Sequence, residues 1–173
     1  MFLSIKEMEF RKVPFEATFE PGQIDFSGAE VRQLSSLHAK GSAVLLERTE
    51  GEVCLRGEFE VEMGADCDRC LRPSRFPLAA GFDLFYRPTP VGPPEAEEIE
   101  IHEGEAEVGF YQGAGLQLGD VLREQILLAL PMQRICRPDC KGICPVCGLN
   151  RNESVCVCRP QLVDDRWSAL RKL

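Results

Sequence analysis

Nine cysteines carry most of the chemical potential of this 173-residue chain, at positions 54, 67, 70, 136, 140, 144, 147, 156 and 158. The last six follow the pattern Cys136-x3-Cys140-x3-Cys144-x2-Cys147-x8-Cys156-x-Cys158. At its centre, Cys144-Pro145-Val146-Cys147-Gly148 has the form of a zinc knuckle. Two thiolates two residues apart grip one ion when the turn between them is tight, because the turn's amides then point at the sulfurs. Gly148 permits the positive φ that completes such a turn. Structural zinc takes four soft ligands in a tetrahedron. Cys144 and Cys147 are the pair that spacing singles out. Two more ligands come from Cys136, Cys140, Cys156 and Cys158, and spacing leaves that choice open. About one zinc per chain is expected.

Cys67-Asp68-Arg69-Cys70 is a second, less specific pair. It reads as half of a second metal site, as partner to the Cys144/Cys147 knuckle, or as a structural thiol pair closing a turn. No further ligand lies nearby in sequence except Cys54. A redox dithiol would sit at a helix N-terminus within a βαβ unit, and none is predicted here. Arg69 would lower a neighbouring thiol pKa and Asp68 would oppose it. The expectation is a slow-reacting structural pair, with a thiol or metal sensor built on Cys67 and Cys70 as the rival.

Catalysis finds little to stand on. His38 and His102 are the only histidines, and no nucleophile elbow, metalloprotease helix or phosphate-binding loop occurs. A zinc ion held by four thiolates offers no open position to water. The chain reads as a non-enzyme with no small-molecule substrate.

The elements that must position the cysteines are mainly strands. Phe15 to Glu20, Ser42 to Arg48, Val53 to Met63 and Leu78 to Tyr86 alternate apolar and polar residues or are rich in branched apolar ones. Glu50-Gly51 is a hairpin turn. Val31, Leu34, Leu37 and His38 recur at helical spacing, which predicts a short helix over 28–38. Leu118-Gly119-Asp120 opens the clearest helix, about 120–130, with Asp120 as its cap and Pro131 as its stop. Val108 to Tyr111 and Glu98 to Ile101 suit edge strands. The fold class is α+β: an antiparallel sheet, open or partly closed as a barrel, with one core helix and a C-terminal zinc-knuckle tail. The body covers residues 1–132, with an acidic loop at 88–107. The Cys-rich tail covers 133–173 and ends in a short helix around Trp167.

Charge divides the same way. The net charge is −8, yet residues 123–173 hold nine Lys or Arg against five Asp or Glu, leaving −12 for the rest. Such a body repels phosphate, so any RNA contact should use the tail, through Arg134, Arg137, Lys141, Arg151, Arg159 and Arg166. One tetrathiolate zinc adds −2 and leaves the tail near +2. An acidic body better suits a basic protein partner. The longest uncharged apolar run, Ile126 to Met132, is far too short to span a bilayer, so no membrane association is expected. An odd cysteine count and a charged first dozen residues argue against a secreted disulfide framework, and point to a cytoplasmic metal-binding protein.

Three blocks together resemble the bacterial YceD-like family, the large ribosomal RNA subunit accumulation proteins. They are Cys67-Asp68-Arg69-Cys70-Leu71 after a long strand, Leu118 to Ile126 running into Leu130-Pro131-Met132, and Cys136 to Asn150 followed by Cys156-Val157-Cys158 and Asp165 to Leu170. The resemblance implies a role in synthesis, processing or stability of 23S ribosomal RNA, within large-subunit biogenesis. It also implies partners among ribosomal proteins or rRNA-processing factors, with the 23S rRNA precursor itself as a further partner. Some members lack the C-terminal cysteines, which implies that a metal there supports structure in a subset. The alternatives from other classes are the thiol or metal sensor and a zinc-dependent nucleic-acid-binding module.

Overall fold

The computed structural model describes residues 1–89 and 108–158. In chain order its elements are β1 (Phe2–Ser4), α1 (Ile5–Met8), β2 (Val13–Phe19), β3 (Arg32–Gln33), β4 (Leu37–Leu45), β5 (Val53–Asp66), β6 (Pro73–Pro88), β7 (Val108–Tyr111), β8 (Gly115–Gln117) and α2 (Leu118–Ala129). The chain divides into two compact units, Met1–Ala65 with Arg75–Pro131, and Asp66–Ser74 with the chain from Met132 onward. The second unit thus takes in the Cys67–Cys70 turn besides the cysteine-rich segment. The first unit carries the main sheet.

That sheet runs β2-β4-β5-β6-β7, with β3 alongside β5, and β1 pairs separately with β8. β2 with β4 and β4 with β5 are antiparallel, whereas β7 runs parallel to β6. The sheet is therefore mixed, and its hydrogen-bonded path does not close. The antiparallel expectation holds for the β2–β4, β3–β5 and β4–β5 pairs, the parallel β6–β7 pair departs from it, and the barrel-like closure is corrected.

Alternation puts Phe15, Leu37, Ala39, Leu55, Phe59, Val61, Phe82 and Tyr86 in the core, joined by Leu118, Val121, Leu122 and Ile126 of α2. Register sets Gly41 opposite Gly57. A Cβ on Gly41 would stand 2.2 Å from the Arg56 carbonyl oxygen, and one on Gly57 would stand 2.8 Å from Phe82 Cζ. Bare backbone at this crossing lets β4 and β5 close over the Phe15 and Phe82 rings.

Two helical expectations change. Residues 28–38 form a single 3-10 turn (Ser27–Ala29), the short β3 and the start of β4. Three-dimensional pairing overrides the brief helical spacing: Arg32 pairs with Gly64 and Gln33 with Met63. The Gln33 amide also donates to the Phe19 and Ser35 carbonyls at 2.7 and 2.8 Å. α2 starts two residues earlier than expected, capped by Gln117 without a side-chain hydrogen bond, so Asp120 lies within the first turn near the positive helix end. Its C-cap, Leu130, is extended before Pro131. One face of α2 is buried and Leu128 is 73% exposed, so the helix is not buried all round. The Glu98–Ile101 strand, the acidic loop and the helix around Trp167 lie outside the described residues.

Candidate metal centres

All nine cysteines are free thiols. Eight of them meet as two tetrads: Cys67, Cys70, Cys136 and Cys140, and Cys144, Cys147, Cys156 and Cys158. Within each tetrad the four sulfurs lie within 4.8 Å of one another. The four-and-four grouping answers what spacing left open. Cys67 and Cys70 partner neither the knuckle nor Cys54, whose thiol stands 3.6 Å from Asp83 in the sheet. Cys144 and Cys147 take Cys156 and Cys158.

The first tetrad is assembled by a turn and a strap. β5 ends at Asp66 and the chain reverses through Cys67–Cys70, where the Cys67 amide donates to the Arg72 carbonyl and Leu71 takes a left-handed φ of 59°. The strap that follows α2 then runs past this turn. Arg69 fixes it further along: Arg69 Nη1 donates to the Cys140 carbonyl at 3.2 Å, and the Ile143 amide donates to the Arg69 carbonyl at 2.9 Å. Gly142, at φ +70°, lets the strap come so close that a Cβ would stand 2.9 Å from the Arg69 carbonyl oxygen. Cys67, Cys70 and Cys140 are buried, with Ile135 packed against them.

The second tetrad is local. The Gly148 amide returns to the Cys144 carbonyl at 2.9 Å, with Gly148 at φ +72°. This is the tight turn that the knuckle spacing predicts. Ile143 and Asn150 pair across it as a single β-bridge.

Geometry tests the fit of an ion. Four sulfurs about 2.3 Å from one centre stand about 3.8 Å apart in a regular tetrahedron. In the first tetrad Cys67 and Cys140 are 3.9 Å apart, and Cys70 and Cys136 are 3.7 Å apart. In the second, Cys147 and Cys156 are 3.6 Å apart and Cys144 and Cys156 are 3.3 Å apart, so that site must open by a few tenths of an ångström. Both tetrads can hold a metal ion, and sulfurs this close surround a single ion with no room for a multi-iron cluster.

Electrostatics favours a cation in both places. Burial raises the Cys67 thiol, yet amides of Cys136, Arg69 and Cys70 outweigh it and bring the thiol down to about 6. The strap's Cys136 amide lowers this thiol most, followed by the turn's own amides and the Cys70 side chain. Cys136 is exposed as a residue, but its sulfur is turned into the cluster; desolvation and the neighbouring thiols push it up to about 12. Amides of Cys147 and Val146 draw Cys144 down to about 6, while Cys156 and Cys147 push Cys158 up to about 12. Adjacent thiolates repel one another, and a dication removes that conflict.

Asn152, which spacing did not mark, is the main supporting residue. Its Nδ2 donates to Cys140 Sγ at 3.4 Å and its Oδ1 accepts the Lys141 amide at 2.8 Å. Only its place in a polar Asn150-Arg151-Asn152 run beside the knuckle hinted at this.

The cations proposed for RNA are partly engaged. Arg134 pairs with Asp68, and Arg137 with Asp139 and Asn152. Lys141 and Arg151 are exposed, and their side chains have no ion-pair partner among the described residues. Arg159 and Arg166 lie outside them. His38 sits in the sheet, its Nδ1 3.1 Å from the Thr18 hydroxyl, and His102 lies outside the described residues. No described helix is long and apolar enough to cross a membrane.

A family model described as large ribosomal RNA subunit accumulation protein YceD matches residues 55–173, which include every cysteine of both tetrads. The chain belongs to the YceD family. Curated relatives include a large ribosomal RNA subunit accumulation protein YCED homolog 1, chloroplastic, of Zea mays, 26% identical over 82% of this chain and 54% of that protein. Uncharacterized proteins of Mycobacterium tuberculosis and Mycobacterium bovis are each 29% identical over 72% of this chain and 57% of theirs. The chain spans little more than half the length of these relatives. No solved structure matches it significantly.

Proposed function

We propose that this YceD-family chain is a non-enzymatic accessory factor for synthesis, processing or stability of 23S ribosomal RNA in large-subunit biogenesis. It works in the cytoplasm, through contacts with a ribosomal protein or rRNA-processing factor. The family match over residues 55–173 carries the reading. Zinc at Cys67, Cys70, Cys136 and Cys140, and at Cys144, Cys147, Cys156 and Cys158, holds the second unit in shape. An all-thiolate donor set at single-ion spacing suits zinc, and four protein ligands leave no position for a reacting water.

Charge supports protein contacts over RNA. Each tetrathiolate zinc carries −2, so two ions offset most of the basic excess of the C-terminal segment. Arg134, Arg137 and Arg72 are also paired with Asp68, Asp139 and Glu153. Tight RNA binding scales with the phosphates neutralised, and among the described residues of the segment from Met132 onward only Lys141 and Arg151 are basic side chains without an ion pair. The outer sheet face offers the opposite sign: an open trough of ≈ 570 Å³ presents Glu16, Glu58 and Glu60 around Lys40. Lys40 is itself held by Glu58 at 2.9 Å. The acidic strip at 95–107 lies outside the described residues.

The test is a pull-down of the tagged chain from lysate with and without RNase, read together with 23S precursor levels in cells lacking it. Large-subunit proteins or processing factors retained after RNase support the reading. Capture that RNase abolishes, or unchanged precursor levels, overturns it.

A further inference from the structure

The two tetrads are built to different standards of enclosure. In the first, Cys67 is 0%, Cys70 5% and Cys140 4% exposed, and Cys136 is its one exposed residue. Its ligands come from two stretches of chain 66 residues apart at Cys70 and Cys136. Donors surround it: the Cys136 amide reaches Cys67 Sγ at 3.3 Å, and Asn152 reaches Cys140 Sγ. To free this ion, a competing ligand must part the turn from the strap.

The second tetrad has one buried member, Cys144, while Cys147 and Cys158 are exposed and Cys156 is half-buried. All four come from one fifteen-residue segment. Val146 donates to Cys144 Sγ and the Cys158 amide to Cys156 Sγ, both at 3.4 Å. Among the described residues its apolar neighbours in sequence give it no cover, since Val146, Val155 and Val157 are themselves 58%, 94% and 91% exposed. Metal exchange at a closed tetrathiolate begins when an incoming donor approaches an exposed sulfur edge and one thiolate leaves. Cys147 and Cys158, the exposed residues of this tetrad, are where such an approach is open.

We infer that the tetrads are metal sites of unequal lability: Cys67, Cys70, Cys136 and Cys140 hold a permanent ion, whereas Cys144, Cys147, Cys156 and Cys158 form an exchangeable site open to zinc or another thiophilic ion such as cadmium. This rests on the zinc reading above. The exchangeable ion governs only the segment 144–158, while the permanent one secures the strap to the turn.

The test uses the full chain loaded with zinc. Metal is counted by elemental analysis, and its transfer to a coloured chelator is followed in time. Two equivalents should leave in two phases, the first about 10- to 100-fold faster, the range over which outer-shell support ordinarily alters metal affinity. Cys147→Ser should abolish the fast equivalent and leave the slow one. Because Cys70→Ser could prevent folding, the assignment is also read on the unmodified chain by pulsed alkylation and mass mapping. Cys144, Cys147, Cys156 and Cys158 should be labelled when one equivalent has gone, with Cys67, Cys70, Cys136 and Cys140 still protected. A single release rate for two bound ions, or earlier labelling of the Cys67 tetrad, overturns this inference alone. A chain that neither carries nor takes up zinc overturns the zinc reading and this inference with it.

Discussion

Asp68 and Arg134 grip each other through both backbone and side chain. The Asp68 amide donates to the Arg134 carbonyl at 2.8 Å, the Arg134 amide donates to Asp68 Oδ2 at 2.7 Å, and Arg134 Nε lies 3.5 Å from Asp68 Oδ1. This clasp fixes the strap two residues before Cys136 contributes its sulfur. Asp68→Ala removes the side-chain half. It should weaken metal binding at the Cys67 tetrad by about 10-fold, the lower end for loss of an outer-shell partner. Asp68→Asn retains an acceptor for the Arg134 amide and should recover part of the loss. Chelator competition on the two variants measures both.

Asn152 supports the same tetrad from the knuckle side. Asn152→Ala removes the donor to Cys140 and the acceptor for the Lys141 amide. Affinity at the Cys67 tetrad should fall by about 10–100-fold, with the Cys144 tetrad little changed. Equal losses at both sites would show that Asn152 acts on the fold of the segment as a whole.

Metal uptake should depend on pH with a definite sign. Ligands must be thiolates, so protons compete with the ion and affinity rises with pH. Cys67 and Cys144, both near 6, are largely ionised at pH 7, whereas Cys136 and Cys158, both near 12, are protonated. The Cys70 and Cys156 thiols are raised as well, so binding at pH 7 should release at least two protons per ion, from Cys70 and Cys136 at one site and from Cys156 and Cys158 at the other. Cys67 and Cys144 should add to the release as pH falls through about 6, where affinity drops more steeply. Calorimetry in buffers of different ionisation enthalpy reads the proton count.

Removing metal should unfold the second unit and spare the first. Structural zinc supplies roughly 10–16 kcal/mol of apparent binding energy, and that energy is folding energy for the segments it joins. On chelation, amides of the Cys67–Cys70 turn and of residues 132–158 should lose hydrogen-exchange protection. Core amides of β4 and β5, buried around Leu37, Leu55 and Phe59, should keep theirs. Collapse of the whole sheet on chelation would show that the sheet core is not self-sufficient.

At the strand crossing, Gly41→Ala should destabilise the sheet. The new Cβ would meet backbone, the Arg56 carbonyl oxygen at 2.2 Å, and backbone cannot swing aside as a side chain can. Overpacking of this kind costs about 1–3 kcal/mol, and Tm falls by about 2–4 °C for each kcal/mol in a chain of this size. Gly28→Ala, where nothing lies within 4 Å, is the control and should leave Tm unchanged.

What the sequence made legible follows from how local each signal is. The Cys144-to-Gly148 turn could be read from five residues because its geometry is satisfied within them. The period-two run of β5 and the Pro131 stop of α2 were legible for the same reason. Residues 28–38 misled, because Val31 and Leu37 fit a helix or a strand over so short a span, and the pairing of Gln33 with Met63 decided between them. The parallel β6–β7 pairing follows a segment whose length says nothing of direction. The meeting of Cys67 and Cys70 with Cys136 and Cys140 depends on contacts 66 and more residues apart, which no spacing rule reaches.

That separation has a consequence during synthesis. At about 5–20 residues per second, the 66 residues between Cys70 and Cys136 take about 3–13 s to add. Throughout that interval the nascent chain exposes a two-thiol turn that can bind an ion only weakly, with the other two ligands still to be made. The Cys144 tetrad, by contrast, emerges complete within fifteen residues. A fully coordinated ion at Cys67, Cys70, Cys136 and Cys140 would therefore be a chemical mark that translation has passed Cys140, whereas a chain that stalls earlier carries only the open dithiol of the turn.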